Sequence, residues 1–223
     1  MKKISGYITL FYEYVRNKKR LLRSLPIHAR LRANDIRIPV GSYIHPKARI
    51  KRGVRINAIS YVGECDIGEY CAIAGPIQIR SSNHAIQKLA FQDHFTRNIV
   101  ELSSGNSGIK KSGGVVLGAN CWVGTNVTLL DGASVGHSSI IGAGAVVNRR
   151  FPPFSVIGGV PARLIKERYD FETRKLLNNW HWWELERHEL KMAQEVFELD
   201  WSLDPQMFNS KLMEFFKNNE KKW

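Results

Sequence analysis

The stretch VLGANCWVGTNVTLLDGASVGHSSIIGAGAVV, residues 116–147, carries an aliphatic side chain at every sixth position. The series runs Leu117, Val123, Leu129, Val135, Ile141 and Val147. Glycine directly follows four of these residues, and the position four after each of the first five is small or slender. A period of six fits neither an amphipathic helix, which repeats about every 3.6 residues, nor a simple strand, which repeats about every 2.

Such a period is typical of a chain that climbs as short parallel strands with a tight turn in every hexad. Three hexads then close one triangular coil, and stacked coils bury a continuous column of aliphatic side chains. The small residue fits the interior beside the turn, and glycine suits turns where a Cβ would clash. The stretch therefore predicts a solenoid.

A second series of aliphatic residues precedes the first. It comprises Ile38, Ile44, Ile50, Ile56 and Val62, followed after a five-residue step by Ile67, Ile73 and Ile79. Between the two series, residues 80–114 lose the period and become polar. Because a compact solenoid that interrupts itself for some thirty residues usually does so for function, we expect the chemistry in this excursion.

The flanking segments predict helices. Apolar residues at helical spacing from Ile4 to Leu25 predict an amphipathic helix that ends at Pro26. After Val147, the prolines at 152, 153 and 161 are expected to end the repeat, and the Leu- and Trp-rich tail predicts one or two helices. We therefore divide the chain into a basic amphipathic N-terminal segment (1–35), a β-helix catalytic domain (36–165) with the excursion 80–114, and a C-terminal helical extension (166–223).

The net charge of +13 is confined to the beginning of the chain. Residues 1–55 contain fifteen Lys and Arg but only Glu13 and Asp35, whereas residues 56–223 contain eighteen charges of each sign. No stretch approaches the roughly 20 apolar residues of a membrane span. The basic block matches no nucleic-acid-binding module and lacks interleaved aromatics, so nucleic acid is not an expected partner.

These motifs resemble the hexapeptide-repeat acyltransferases, and within them the xenobiotic (streptogramin and chloramphenicol) and polysaccharide O-acetyltransferases. The resemblance covers roughly residues 40–200 and is strongest in residues 116–147, the closing segment 151–170, SSNHAI at 81–86 and the Trp-rich stretch 176–183. It implies a mainly β fold, a left-handed parallel β-helix. The handedness comes from the resemblance alone, since general rules favour right-handed crossovers. Val160 departs from the pattern, because many members carry Asn there.

The resemblance also implies acetyl-CoA as the donor and a homotrimer with active sites between subunits. The general base of such enzymes is a loop histidine, which corresponds to His84. An imidazole can take the proton of a hydroxyl as that oxygen attacks the thioester carbonyl, and no covalent intermediate is needed. His94 is the competitor within the excursion and could instead orient the acceptor. Asn57, which we expect one coil below the excursion, and Asn83 are further candidates for holding the acceptor.

The cofactor-binding residues are likewise carried over from the resemblance. Backbone N–H groups near Trp122, Gly124 and Thr125 are expected to stabilise the oxyanion. Thr125, Ala143, Asn148 and Arg149 would line the pantetheine groove, with Trp122 beside the acetyl and pantetheine region. Arg163 and Lys166 would meet the CoA phosphates.

The leading hypothesis is acetyl transfer to a hydroxyl of a bacterial surface saccharide such as O-antigen, capsule or a precursor. The alternatives are xenobiotic acetylation and N-acetylation of an amino sugar. A zinc carbonic anhydrase on the same coil is disfavoured because the hexads supply no cluster of inward histidines, so no metal is expected. A non-catalytic scaffold is a further alternative, which failure to bind CoA would favour.

Several other residues receive structural interpretations. Cys71 and Cys121 occupy small-residue positions and are interpreted as packing residues, and His137 as a solvent-facing turn residue. Trp180, Trp182 and Trp183 are expected to pack and not to stack on sugars.

The cysteine pattern and the basic N-terminus bear on location. Three cysteines without a CxxC pair or a secretory signal argue against a disulfide framework and favour the cytoplasm. The basic N-terminal helix suits either a structural lid over a trimer edge, which we favour, or peripheral contact of residues 1–55 with an anionic membrane.

Overall fold

The computed structural model describes residues 26–81, 88–92, 94–101, 114–202 and 204–218. Sixteen short strands alternate with turns along this part of the chain. They are β1 (Tyr43–Ile44), β2 (Arg49–Ile50), β3 (Arg55–Ile56), β4 (Tyr61–Val62), β5 (Cys65–Ile67), β6 (Ala72–Ile73), β7 (Ile77–Arg80), β8 (Val115–Leu117), β9 (Trp122–Val123), β10 (Val127–Leu130), β11 (Ser134–Val135), β12 (Ile140–Ile141), β13 (Val146–Val147), β14 (Arg150–Phe151), β15 (Ser155–Gly158) and β16 (Arg163–Glu167).

Every third strand belongs to the same sheet, so that three sheets form the faces of a triangular prism. The first sheet has the order β1-β4-β7-β10-β13, the second β14-β11-β8-β5-β2, and the third β16-β15-β12-β9-β6-β3. All pairs are parallel except β15 with β16. The predicted fold class, a mainly β, left-handed parallel β-helix followed by helices, is confirmed.

Both aliphatic series fall in register inside the prism. The first sheet, for example, stacks Val62, Ile79 and Leu129 in neighbouring strands, although the excursion separates the last two in sequence. All six residues of the series from Leu117 to Val147 are at most 1% exposed. The five-residue step after Val62 is accommodated without loss of register, because Ile67 still pairs with Ile50 and Leu117.

The corners of the prism explain the residues between the aliphatic positions. The third residue after several of the aliphatics adopts a left-handed backbone conformation, as at Asn120, Asn126 and Ser138, with φ between 55° and 57°. The glycine directly after Leu117 is needed for a different reason. A Cβ on Gly118 would lie 2.4 Å from the backbone nitrogen of His137 in the next coil. Successive coils are therefore in backbone contact at this corner.

The coil does not end at the prolines, contrary to the sequence prediction. Pro152 and Pro153 lie in the turn between β14 and β15, and Pro161 lies between β15 and the antiparallel β16. Phe151 and Ile157 continue the buried columns of the second and third sheets. The step from Val147 to Phe151 is only four positions, and this short step hides the last coil from a six-residue period.

Helices flank the prism at both ends of the described chain. They are α1 (26–33), α2 (Phe171–Asn178), α3 (Arg187–Met192), α4 (Gln194–Phe197) and α5 (Pro205–Asn218), with a 3-10 turn at Trp182–Glu184. Helix α2 begins where the Asp170 side chain accepts a hydrogen bond from the Thr173 N–H at 2.7 Å. A second hydrophobic cluster forms around Trp180 and Leu212 in this segment.

The helix predicted over Ile4–Leu25 lies outside the described residues. The described helical residues 26–33 include Pro26, the residue at which that helix was expected to end. Within the described ranges, no helix is long and apolar enough to cross a bilayer.

Candidate functional site

The excursion leaves the coil at one corner of the prism. It departs after Arg80 at the end of β7 and returns at Gly114 before β8, which places its base between the first and second sheets. The Gly114 N–H donates to the Asp131 carboxylate of the next coil at 3.2 Å, which fixes the returning chain. A cavity of about 550 Å³ opens at this base, between Ser81 and Gly114.

Asn83 and His84, the two candidates nearest the start of the excursion, lie outside the described residues. His94 is described and lies in a short helical turn, with its ring exposed. The side-chain amide nitrogen of Asn98 lies 2.7 Å from His94 Nδ1. Because an amide nitrogen only donates, it occupies the Nδ1 lone pair, and a neutral ring then carries its proton on Nε2. His94 thus presents a donor to solvent, which suits holding an acceptor better than removing its proton.

The cofactor candidates on the third sheet form one outward strip. Trp122 on β9 is 49% exposed and is in register with Ile140 on β12. Ile140 pairs with Val156 on β15, which pairs with Lys166 on β16. Three strand spacings separate Trp122 from Lys166, or roughly 14 Å. The indole and the ammonium therefore mark the two ends of a partly apolar strip.

Backbone hydrogen bonds restrict the predicted oxyanion donors. The Trp122 N–H donates to the Ser139 carbonyl at 3.0 Å, and the Gly124 N–H donates to the Ile141 carbonyl at 2.8 Å. Both groups hold successive coils together, so the expectation that they stabilise an oxyanion is wrong for these two residues. The N–H of Thr125 makes no hydrogen bond within the described part of the chain, and Thr125 is exposed. Of the three candidates, Thr125 therefore keeps an N–H that is available to act as the donor.

Gly124 is required by backbone packing instead. A Cβ at this position would lie 2.6 Å from the backbone nitrogen of Ala143. Thr125 follows at the same corner, where its carbonyl accepts from the Gly144 N–H at 2.8 Å. Thr125 and Ala143 are consequently adjacent and exposed beside the strip that starts at Trp122.

Two arginines distant in sequence converge at the last coil. The Arg149 Nη2 atom donates to the Ala162 carbonyl at 3.3 Å, and the Arg163 Nη1 atom donates to the same oxygen at 3.1 Å. Asn148 precedes Arg149 and is exposed. Two guanidinium groups held at one carbonyl form a concentrated positive charge, which suits a phosphate.

Asn57 is not brought to the base of the excursion. It is exposed at the corner between the third and first sheets, and its N–H donates to the Ile73 carbonyl at 3.0 Å. Asn57 belongs to the first coil, which is formed by β1, β2 and β3. The excursion interrupts the third coil, formed by β7, β8 and β9, at another corner. Its expected place one coil below the excursion is therefore wrong for a single subunit.

The cysteines are part of the interior. Cys71 and Cys121 are at most 1% exposed, and the pKa of Cys71 lies well above its ordinary value because of its hydrogen bond with Cys121 and its burial. Burial also raises the pKa of Cys65 to about 12. A thiol with such a pKa is not a nucleophile near neutral pH. Across the described residues, no group of three His, Cys, Asp or Glu side chains could hold a metal ion.

His137 is not the solvent-facing turn residue that the sequence suggested. Its ring packs edge-on against Phe154 with centroids 4.9 Å apart, and its centroid lies 4.7 Å from that of Trp183. Nε2 lies 3.2 Å from the Asn178 side-chain oxygen. Burial lowers the pKa of His137, with the nearby His181 acting in the same direction and Asn178 opposing it.

The tail tryptophans pack as predicted, but on two different partners. Trp183 contacts the coil through His137, and Trp182 stacks on Tyr70 with centroids 5.5 Å apart. Trp180 instead packs in the second hydrophobic cluster, against Phe215 and Phe216 of α5.

Sequence reasoning missed the arginine that holds this tail. Arg52 Nη2 donates to the Trp183 carbonyl at 3.0 Å and to the Leu185 carbonyl at 2.5 Å. It also missed the acid partners of the basic N-terminal quarter. Arg49 pairs with Asp66 through two hydrogen bonds, Lys51 with Glu69 at 2.9 Å, and Arg55 with Asp35 at 2.9 Å. These pairs neutralise much of the described part of the basic block, and no local signal in the sequence announces them.

Comparison with known proteins places the repeat in a known class. Residues 114–149 match the family model described as bacterial transferase hexapeptide (six repeats). A chloramphenicol acetyltransferase of Agrobacterium fabrum is 29% identical over 134 residues, which are 58% of this chain and 64% of that protein. The chain thus spans less than two thirds of the length of the chloramphenicol acetyltransferases it matches.

A shorter match reaches a higher identity. A protein of Escherichia coli K12, whose name assigns it to O-acetyl transfer in lipopolysaccharide biosynthesis, is 44% identical over 64 residues, or 29% of this chain and 32% of that protein. Among solved structures, the hexapeptide-repeat-containing acetyltransferase VCA0836 of Vibrio cholerae is 22% identical with a TM-score of 0.42, over 71% of this chain and 90% of that one. The predicted resemblance is confirmed: residues 114–149 carry the hexapeptide repeat of the bacterial transferases.

Proposed function

We propose that this protein is an acetyl-CoA-dependent O-acetyltransferase that acts on a hydroxyl of a bacterial surface saccharide or its precursor. The observation that carries this proposal is the strip from Trp122 to Lys166, whose last strand, β16, also carries Arg163, which meets Arg149 at the Ala162 carbonyl. An extended thioester ligand needs an apolar channel for its pantetheine arm and cations for its phosphates, and the strip offers them in that order.

In the proposed reaction, His84 accepts the proton of the acceptor hydroxyl as its oxygen attacks the thioester carbonyl. The C–O bond forms, the tetrahedral oxyanion accepts a hydrogen bond from the Thr125 N–H, and the C–S bond then breaks. The proton held by His84 passes to the leaving sulfur, so that the products are the acetyl ester and CoA. Asn83 and His94 would hold the acceptor, and the distance of Asn57 from the excursion assigns any such role of Asn57 to a neighbouring subunit.

The site is proposed to lie between subunits of a homotrimer. Five large apolar side chains in the described part of the excursion are between 40% and 103% exposed. They are Leu89, Phe91, Phe95, Ile99 and Val100. Exposed apolar side chains at this density favour burial against another copy of the chain.

The saccharide acceptor is favoured by the relative assigned to lipopolysaccharide biosynthesis, which has the higher local identity. Xenobiotic acetylation is the second candidate, because the chloramphenicol acetyltransferases match over twice the length. We place the protein in the cytoplasm, where acetyl-CoA is made and where unpaired cysteines persist. Contact of residues 1–55 with an anionic membrane is part of the same proposal, although ion pairs neutralise several of the described basic residues.

The test is incubation of the protein with labelled acetyl-CoA and, in parallel, a panel of bacterial glycans, chloramphenicol and a streptogramin. We expect labelled ester on a glycan and a loss of at least about 100-fold in kcat for His84→Ala. The matched control is His94→Ala, which should raise KM for the acceptor more than it lowers kcat. Near-wild-type turnover by His84→Ala together with an inactive His94→Ala would overturn the assignment of the base.

A further inference from the structure

A groove of about 470 Å³ runs over the second sheet, and none of the residues that line it is assigned to the transfer step above. We call it the sheet-two groove. Its charged and titratable lining includes Arg49, Lys51, Asp66, Glu69, His181 and Glu184. Its floor is the coil, and one wall is the turn Trp182–Glu184 that Arg52 holds in place.

The floor of the groove is low and apolar at its centre. Gly68 and Gly118 carry no side chain, and each lies in backbone contact with the next coil. Val116, the outward residue of β8, is 38% exposed and lies in register with Asp66 on β5. A flat apolar floor of this kind accepts the C–H face of a ring.

The wall offers a second flat surface. The His181 ring stacks on the Trp183 ring with centroids 5.1 Å apart and an angle of 21° between the planes. Trp183 is only 6% exposed, whereas half of the His181 side chain is accessible. The buried indole therefore supports the imidazole from behind and leaves the opposite face of that ring open.

The charges of the groove occur in pairs. Arg49 pairs with Asp66, Lys51 pairs with Glu69, and His181 Nδ1 lies 3.6 Å from Glu184. Three carboxylates thus face two permanent cations, so a phosphate or a uronate would meet more negative than positive charge. Neutral hydroxyl groups can both donate to the carboxylates and accept from the guanidinium and ammonium groups.

We propose that the sheet-two groove binds a neutral saccharide unit. The assignment of this unit to the acceptor rests on the proposed function. The groove adjoins the cavity at the base of the excursion, because Arg49 and Asp66 line both. A glycan that occupies the groove therefore extends towards the base of the excursion, with another of its sugar units presented for transfer.

The experiment is a binding measurement on the full chain without acetyl-CoA. Isothermal titration and saturation-transfer NMR would use neutral oligomers of glucose, galactose, mannose, rhamnose and N-acetylglucosamine, with glucuronate and galacturonate oligomers in parallel. We expect millimolar or tighter binding of at least one neutral oligomer. No binding of any neutral oligomer, or tighter binding of the uronates, overturns the proposal.

Two variants locate the binding site. Val116→Tyr fills the floor from an outward strand position and should weaken binding at least tenfold, and His181→Ala, which removes the open ring face, should weaken it about fivefold. The control is Gln78→Tyr, an exposed outward position at the centre of the first sheet, which should bind as the wild type does. Equal binding by Val116→Tyr, His181→Ala and the wild type would place the ligand elsewhere and overturn the proposal.

A charge variant tests the ligand class. Glu69→Gln with Glu184→Gln leaves Arg49 and Lys51 in excess and should raise the affinity for uronate oligomers severalfold while neutral binding persists. An unchanged preference would show that charge balance does not select the ligand. Because none of these measurements uses acetyl-CoA, they succeed or fail independently of acetyl transfer, which CoA binding and the labelled-acetyl assay report separately.

Discussion

The β-helix and the C-terminal helical segment, residues 171–218, are stabilised by different kinds of contact. In the β-helix, the same contacts recur in every coil. An inward aliphatic side chain packs on the one in the next coil, and a backbone N–H donates to a carbonyl of that coil. The C-terminal segment touches the coil through contacts that are all different: Arg52 on two carbonyls, Trp182 on Tyr70, and Trp183 on His137. The first arrangement spreads stability over the structure, whereas the second concentrates it in a few polar and aromatic groups.

This difference matters for function, because the proposed cofactor strip lies on the coil whereas the C-terminal segment forms one wall of the sheet-two groove. The coil supplies a rigid wall, since its residues cannot move without breaking contacts on both neighbouring levels. The wall of the groove depends on a few separate contacts, each of which a single substitution can remove. Variants can therefore separate the two regions.

The largest effect is expected inside the coil. Leu129 and Leu130 are neighbours in β10, but Leu129 is 1% exposed in the interior whereas Leu130 points outward and is half-buried. Leu129→Ala should lower the free energy of unfolding by about 4 kcal/mol, because a cavity is left between two fixed coils. Urea unfolding followed by far-UV circular dichroism measures this loss.

Leu130→Ala is the matched control, with a loss of less than about 1 kcal/mol expected on the outward face. Similar losses for the two variants would contradict the alternation of inward and outward positions along β10.

The second effect concerns the corners. Gly118→Ala places a Cβ 2.4 Å from the backbone of His137, which neither coil can avoid by a side-chain rotation. We expect a loss of about 3 kcal/mol, at the upper end for overpacking. In Gly142→Ala, the new Cβ lies 3.4 Å from the Ile157 carbonyl oxygen and 3.8 Å from the Gly158 Cα, both ordinary contact distances, so a loss below about 1 kcal/mol is expected in the same unfolding assay. A Gly118→Ala protein as stable as Gly142→Ala would show that the coils can separate at this corner.

The repeated contacts are the part of the fold that the sequence predicts well. Inward positions recur at regular steps in the sequence because they recur in every coil of the structure. The inward aliphatic residues from Ile38 to Val147 could therefore be identified without knowing which residues they contact. The prediction failed where the period changes. The four-residue step from Val147 to Phe151 and the prolines after it conceal β14 and β15, although the interior column continues through them.

The contacts of the candidate site could be predicted only in part. The strip from Trp122 to Lys166 follows from the repeat and the closing segment, two motifs that the sequence itself shows, but the meeting of Arg149 and Arg163 at one carbonyl depends on how the last coil folds back. The burial of His137 depends on a tryptophan forty-six residues away. Such pairings are non-local, and neither residue carries a local pattern that identifies the other.

A smaller effect is expected where the C-terminal segment is attached. Arg52→Ala removes the donors to the Trp183 and Leu185 carbonyls, and because 35% of the Arg52 side chain is exposed we expect a local loss of only about 1–2 kcal/mol. Hydrogen exchange should show faster exchange in residues 182–197 and unchanged exchange in the coil. Arg55→Ala removes an arginine of the same sheet region that pairs with Asp35, and it should leave residues 182–197 protected. If the coil amides lost protection to the same degree in Arg52→Ala, the two regions would be a single cooperative unit.

The smallest effect is a pH dependence of the same attachment. Burial lowers the pKa of His137 in the folded protein, so the undocked or unfolded chain binds a proton more readily. The stabilisation is therefore complete above the ordinary histidine pKa of about 6.5, and it is lost progressively as pH falls below that value towards the lowered pKa. The titratable groups facing His137 from the C-terminal segment are His181 and, beyond it, Glu184, while Phe154, Trp183 and Asn178 carry no charge.

Tryptophan fluorescence should therefore report a melting temperature of the docked segment that is lower at pH 5 than at pH 7.5, by roughly 2 °C. In His137→Gln, which cannot titrate, this difference should shrink, whereas His188→Gln on the exposed side of α3 should keep it. The coil transition followed by far-UV circular dichroism should not move with His137. An equal shift of both transitions would mean that the acid sensitivity belongs to the β-helix and not to the contact that joins the C-terminal segment to it.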